Sequence, residues 1–540
     1  MNKIILTIFI LLVAVFSVAY LYFSNLNSGS KNNDKALSII PKNAALIFGF
    51  KNDAAYYEIF KDYKLFDAIT GSQNKAEFSA LKREFLDLRP FRLISSDQNI
   101  FLSFHPQKDS IEFLWTMPLL KVLNRDDFMQ TLNQQKKLQA KRISWNGIEL
   151  IQVKLISINK LFYFYAYKGL ISGSFSKELL QQVADTKVPK ISKDFIAEIN
   201  SGSLKNENSP ATIYINLNTS KEFFSGFLRQ KNPNGNFNLL NNLSGYTTLN
   251  MNYKSNALIF NGITIPDTVK SAYLNLFLHQ KAITHPIIRI VPSNTAYFIA
   301  YGLSDYTVFA RDLRNYHKKN NELVKLEEQI SLINTETGIQ PNRDIQNHWG
   351  NEFITFQLST REKLGAIKLI NGRQMQFFLQ LLSSEYSENI WRLNYSGLFY
   401  NYFGEPFKQF KAPFYTIIDN HLIISNSPGS IQRFVSNYNL ENQLFKTSKF
   451  TEFNRLVADE SNILLFIHVK NSGDNINFLL KKSYASNITG NEHGFKDFYG
   501  LSYQWSSNAD HFFTNFYAAS KQLVDTSVEN NLSQDTLRKN

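Results

Sequence analysis

Cysteine is missing from all 540 residues. Its absence excludes disulfides, zinc–cysteine sites, iron–sulfur clusters, thiol catalysis and lipidation on cysteine. Glycine (23) and proline (14) are sparse, so collagen-like and low-complexity readings fail as well. Catalytic signatures are also lacking: the chain has no HExxH, no GxSxG, no Walker glycine loop and no GxGxxG. Long apolar runs are absent beyond the amino terminus, so the chain crosses a membrane once at most. What is present is an ordinary globular composition, 44% hydrophobic with 46 Phe and 26 Tyr. It is too hydrophobic for disorder and long enough for about two to four domains.

The one long apolar run, Ile4 to Phe23, contains twenty residues and no charge. As a helix it reaches about 30 Å, the hydrocarbon thickness of a bilayer. Tyr20 and Tyr22 stand near its end, where amphipathic rings favour the interface. Lys3 precedes it, and the positive-inside rule keeps that short end in the cytoplasm. Residues 1–35 therefore read as a transmembrane signal anchor and tether, with residues 36–540 extracytoplasmic, in the periplasm. The alternative is export after signal cleavage, for which Ser17-Val18-Ala19 offers small residues.

An internal repeat is the most informative pattern in the chain. Ile39-Ile40-Pro41-Lys42-Asn43-Ala44-Ala45-Leu46 matches Ile290-Val291-Pro292-Ser293-Asn294-Thr295-Ala296-Tyr297 at an offset of 251. At an offset of 252, Phe101–Phe104 matches Phe353–Phe356, Leu170-Ile171 matches Leu422-Ile423, and Ile213–Ile215 matches Leu465–Ile467. Ser255-Asn256-Ala257 likewise matches Ser507-Asn508-Ala509. The expected organisation is a first module at 36–270, a linker at 271–284 and a second module at 285–520. A polar tail at 521–540 completes the chain.

Within the modules, alternating or apolar stretches predict strands at Ala45–Phe50, Ile100–Phe104, Ile111–Trp115, Ile148–Leu155, Leu161–Tyr165 and Ile213–Leu217. Asn146-Gly147 and Lys168-Gly169 are hairpin-type turns, with Ser396-Gly397 and Asn420-His421 near the same places in the second module. Helices are expected at Ala54–Ile69, Ala76–Leu88, Asp126–Leu138, Glu178–Ala184 and, in the linker, Ala272–Leu278. Ser427-Pro428 reads as a helix start, a capping side chain followed by Pro at the first helical position. Strands joined mostly by turns give an α+β fold, each module an antiparallel sheet faced by helices.

Candidate chemistry is thin. The nine histidines include no pair at the helical spacing of a metal site, and His468 reads as a satisfied polar position on a half-buried strand. Gly169–Ser174 could place a phosphate at a helix start, but its counterpart His421–Ser427 keeps the small polar residues without the glycines, so capping explains both. His348-Trp349-Gly350-Asn351-Glu352 is chemically the richest pentapeptide, yet Ser96–Ile100 lacks both the Trp and the Glu, which makes it a structural approach to a strand. The adjacent carboxylates Asp126-Asp127 and Glu327-Glu328 read as solvated helix faces. The aromatic run Leu161–Tyr165 fits sheet packing. No catalytic, cofactor-binding or metal-ligating residue is assigned, and no cofactor is expected. The net charge of +13 and the basic run from Lys136-Lys137 to Lys141-Arg142 favour anionic lipid or glycan neighbours. Nucleic acid is excluded by the expected location.

The N-terminal anchor, the stretch Ile39–Phe50, and the junctions Lys168–Val183 and Asp419–Val435 together carry a resemblance. The chain resembles membrane-anchored envelope proteins of Bacteroidetes-type bacteria, a family classed as a domain of unknown function. The resemblance implies an envelope location and no catalytic residues. The expectation is a non-enzymatic binding or scaffolding protein, with an envelope protein, glycan or lipid as partner. The alternatives are an envelope hydrolase with a site between the modules and a carrier of lipid or another hydrophobe.

Overall fold

The computed structural model describes residues 33–51, 99–107, 111–118, 129–130, 132–134, 138–156, 159–191, 195, 209, 211–225, 228–229, 243–254, 257–481 and 494–521. The membrane segment expected at 4–23, the helices expected at 54–69 and 76–88, most of that expected at 126–138 and the tail from 522 lie outside those residues. Among the described residues no helix is long and apolar enough to cross a membrane.

The fold is α+β, and the described residues form twenty antiparallel strands in one sheet. The first ten are β1 (Leu46–Lys51), β2 (Asn99–Pro106), β3 (Ile111–Pro118), β4 (Leu138–Trp145), β5 (Ile148–Leu155), β6 (Lys160–Tyr167), β7 (Leu170–Ser174), β8 (Ala211–Asn216), β9 (Gly245–Lys254) and β10 (Ala257–Pro266). The second ten are β11 (Thr295–Gly302), β12 (Trp349–Leu358), β13 (Lys363–Leu369), β14 (Ser383–Ser387), β15 (Ile390–Leu393), β16 (Phe414–Ile418), β17 (His421–Ser425), β18 (Ile463–His468), β19 (Phe498–Asn508) and β20 (His511–Ser520).

Strand pairing gives a simple order. From one edge it runs β4-β5-β6-β7-β3-β2-β1-β8-β9-β10. From the other edge it runs β14-β15-β16-β17-β13-β12-β11-β18-β19-β20. The second order is the first with ten added to every label. The two runs meet where β10 pairs with β20, from Ala257↔Ala519 to Thr264↔Phe512. In that ladder Asn261 faces Asn515, each the fifth residue of its strand, and the Asn261 amide donates to the Asn515 carbonyl at 2.7 Å.

Local chemistry explains these elements. β11 is buried along its whole length, as expected of a strand covered on both faces. Asn146-Gly147, Lys168-Gly169 and Asp419-Asn420 all have positive φ, the geometry of two-residue turns that match strand twist. The edge strand β4 carries Lys141 and Arg142, charges that discourage pairing with another chain. One apolar cluster runs from Phe48 and Phe164 through Phe260 and Phe516 to Phe353 and Tyr415, so a single core spans the ladder joining the two runs. On the opposite face, the helix Lys177–Ala184 packs Leu179, Leu180 and Val183 over the first half. The helices Pro428–Asn439 and Ser448–Asn454 bury Ile431, Phe434, Phe450 and Phe453 over the second.

Several expectations need correction. Residues 138–145 form strand β4, which the helical pattern ending at Leu138 did not suggest. Ser396-Gly397 leads into the helix Leu398–Phe403, and the β14–β15 hairpin turns instead between Ser387 and Ile390. The stretch Ala272–Leu278 holds a 3-10 helix at Tyr273–Phe277, with Tyr273 and Phe277 fully buried. Ser427 precedes the helix as expected, but its side chain makes no capping hydrogen bond. The turn Asp419-Asn420 stands where Lys168-Gly169 stands, which places Leu170 at the position of His421 rather than of Leu422. Likewise the β19–β20 turn falls after Asn508, against Lys254 in β9, an offset of 254 rather than 252. Bulges such as those at Thr295/Tyr297 and Phe498/Gly500 let the register drift while the pairing order stays the same.

Candidate functional site

Between β11 and β12 the chain leaves the sheet and builds helices. Asp305 starts the first, Tyr306–Lys319, by accepting from Thr307 N–H at 2.7 Å and Val308 N–H at 3.3 Å. Phe309, Leu313 and Tyr316 turn inward at helical spacing, and Lys318 and Lys319 close the last turn where cations favour the helix dipole. A second helix, Leu323–Thr337, buries only Leu326 and Ile333 and stops at Gly338, whose φ of 73° suits a left-handed end. A third, Pro341–Asp344, begins with Pro.

These helices and residues 401–402 enclose an open cleft of about 990 Å3. Its lining is polar: it includes Arg311, Arg314 and Arg343 and five amide side chains. Arg311 donates to Asp312 at 2.9 Å, Arg343 donates to Asp344 at 2.7 Å, and Arg314 pairs with Glu327. The Tyr402 hydroxyl donates to Asn342 Oδ1 at 2.9 Å.

His317 is part of the lining, 1% exposed, and its ring nitrogens make no well-aligned hydrogen bond, although the backbone of Tyr400 and Asn401 stands close to the ring. Its Nδ1 stands 3.8 Å from Glu322, and its ring packs on Tyr400 at 5.0 Å. Burial lowers its pKa, and Glu322 offsets that only in part, so the ring is neutral at pH 7. Behind it, Lys408 bridges Glu322 at 3.0 Å and Glu405 at 3.3 Å. Tyr400 donates to Glu322, and the Tyr316 hydroxyl donates to Glu405 at 3.2 Å. Burial would raise the Glu322 carboxyl, but the Tyr400 hydroxyl and the Lys408 ammonium outweigh it and hold the group below its ordinary value. The two carboxylates are thus committed to one lysine and two phenols.

Other sequence candidates fall elsewhere. Trp349 is buried against Phe399, Tyr402 and Phe403. Glu352 is 1% exposed and accepts from Ile287 N–H at 2.9 Å and from Lys368 at 2.8 Å, while His348 stacks on Phe378. This pentapeptide therefore ties β12 to its surroundings rather than assembling one site. The helix start after Gly169–Ser174 is closed by Ser176, which accepts from Leu179 N–H at 3.2 Å. His468 Nδ1 accepts from Asn471 N–H at 3.2 Å. Glu327 and Glu328 are exposed on their helix. Lys136 and Lys137 lie outside the described residues, while Lys141 and Arg142 are exposed on β4.

Two Ser–His pairs come within hydrogen-bond reach without local sequence signals for catalysis. Ser103 Oγ lies 2.8 Å from His105 Nε2, whose Nδ1 lies 2.8 Å from Asn43 Oδ1. Both Ser103 and His105 are fully enclosed, and burial lowers the His105 pKa to about 3. His285 Nε2 meets Ser461 Oγ at 2.8 Å and is also buried. Among the described residues no group of three His, Asp or Glu could hold a metal ion.

Of the cleft residues only Glu327 was singled out in the sequence, as half of a solvated carboxylate pair. Arg311 and Arg314 share a helix, but Glu322 and Lys408 are 86 positions apart and have no common local pattern. Comparison with protein-family models, curated proteins and solved structures yields no match.

Proposed function

We propose that this is a membrane-anchored extracytoplasmic envelope protein that binds or scaffolds another component without turning it over. The open polar cleft at residues 306–346 and 401–402 is the observation that carries the binding role. Its volume reaches the upper end of ligand pockets, about 300–1,000 Å3, and its wall offers hydrogen-bond donors rather than a poised acid or nucleophile. The nearby carboxylates, Glu322 and Glu405, share Lys408 and each accept a phenol hydrogen bond, which supports a positioning network over acid–base chemistry. The uncharged run Ile4–Phe23 supports the anchor.

The same reading includes tandem duplication, with modules at 36–270 and 285–520. The repeated strand order supports it, as does the Asn261–Asn515 contact between equivalent positions, which resembles the self-complementary interface of a two-fold dimer. Affinity capture of the full chain from detergent-solubilised envelopes tests the role. A partner recovered with the native protein and lost with Arg343→Gln is expected. Repeated capture of nothing, together with turnover of a wall polymer or lipid, would reverse the proposal.

A further inference from the structure

The lining of the cleft narrows the ligand class. Asn334, Gln340, Asn342, Gln346 and Asn401 present planar amides, each able to donate and accept at once. That pairing suits neighbouring hydroxyl groups. A guanidinium has five N–H donors, so the carboxylates holding Arg311, Arg314 and Arg343 leave donors free for a ligand. Each of the three arginines is paired with one carboxylate, so what the wall offers a ligand is a set of directed guanidinium N–H donors.

His317 adds a separate observation. It is enclosed in the cleft lining, and neither ring nitrogen makes a well-aligned hydrogen bond within the protein. A neutral imidazole has one donor and one acceptor on opposite edges of the ring, and a bound hydroxyl would pair with one of them. A lipid tail calls for predominantly apolar walls, and the lining here is mixed and arginine-bearing. An extended peptide would use a free sheet edge, whereas helices line this cleft.

We propose that the cleft binds an acidic oligosaccharide, a chain of hydroxyl-bearing rings with carboxylates. In this arrangement the arginines take the carboxylates, the amides take ring hydroxyls, and His317 takes the hydroxyl that reaches deepest. The inference rests on the binding role above and names the ligand of the same cleft.

Calorimetry on the full chain in detergent tests it, with tetramers of galacturonate, glucuronate and mannuronate as probes. Their methyl esters keep the rings without charge, and hexaglutamate keeps charge without rings. At least one uronate tetramer should bind, and its ester at least ~10-fold more weakly, a difference of about 1.4 kcal/mol. The exposed substitution Arg343→Gln and the buried substitution His317→Phe should each weaken binding by a similar factor, with the melting temperature of Arg343→Gln unchanged. Hexaglutamate binding as tightly as the sugar, or no binding by any of the three tetramers, overturns the proposal. Envelope capture separates the two failures: a partner lost with Arg343→Gln but no uronate binding sinks the sugar assignment alone. No uronate binding, with repeated empty captures and turnover of a wall polymer or lipid, sinks the binding role itself.

Discussion

The two halves of the sheet share a strand order but not a set of side chains, and the places where they agree show what the fold requires. Ser174 on β7 donates to Phe113 O at 2.7 Å and accepts from Ser176 N–H at 3.1 Å. Ser425 on β17 donates to Lys363 O at 2.9 Å and accepts from Ser427 N–H at 3.4 Å. The same need is met by the same residue. Elsewhere the need is shared and the residue is not. Asn216 Nδ2 donates to the carbonyls of Lys42 and Ala44. In the second half Asn471 donates to those of Ser293 and Thr295, while His468 occupies the strand end where Asn216 stands. Phe104 faces Leu46 on β1 and Gln357 faces Tyr297 on β11, so the next residue along is His105 in one half and Leu358 in the other. Buried backbone groups must find partners, whereas a core position tolerates a satisfied polar ring or an apolar chain alike.

The sharpest way to break this parallel is at the joining ladder. Gly262 is sixth in β10, and a Cβ there would sit 1.8 Å from Thr248 O. Its counterpart in β20, the sixth residue, is the fully buried Phe516. Gly262→Val should lower stability by about 4 kcal/mol or more, against about 1 kcal/mol for Phe516→Leu, measured by denaturant midpoint. Equal effects would show that the ladder absorbs a side chain on either strand.

A pH profile sharpens the Asn216–His468 difference. Burial lowers the His468 pKa to about 4, below the ~6.5 of an unfolded histidine. Above pH 6.5 both states are neutral and the ring has no pH effect. As pH falls from 6.5 towards 4, the unfolded chain takes up a proton that the folded ring refuses, and stability is lost at up to ~1.4 kcal/mol per unit. His468→Asn, which copies the first half, should recover roughly 3 kcal/mol at pH 4 and nothing at pH 8. An unchanged acid limb in thermal melts would refute that account.

The smallest effect concerns the shared serines. Ser174→Ala and Ser425→Ala should each cost about 1 kcal/mol, because each leaves a strand carbonyl and a helix-approach N–H without the hydroxyl. Differential scanning calorimetry of the two variants should give matching shifts. A large inequality would mean that the two hydroxyls hold different structures despite their matching contacts.

Much of the sheet was legible from local pattern. The alternation in Ile148–Leu155, the aromatic run Leu161–Tyr165 and the glycine turns at Gly147 and Gly169 mark strands and hairpins through nearest-neighbour sterics. β4 was not, because its polar, basic sequence is that of an exposed edge rather than of a buried face. β14 and β15, at five and four residues, are too short to show a period. The cleft was illegible for a different reason. His317 of its lining meets a network of Glu322, Tyr400, Glu405 and Lys408, which come from separate segments and carry no spacing signal.

The chain by itself determined the antiparallel α+β class, the glycine turns of the first half and the candidate membrane run, because each follows from steric and solvation preferences within a few neighbouring residues. Only the tertiary structure decided that β10 pairs with β20, that the region after Ala272 belongs to the core, and that His317 is enclosed in the lining of an arginine-bearing cleft. Those outcomes depend on which distant surfaces exclude water together, and burial of that kind is a property of the packed whole.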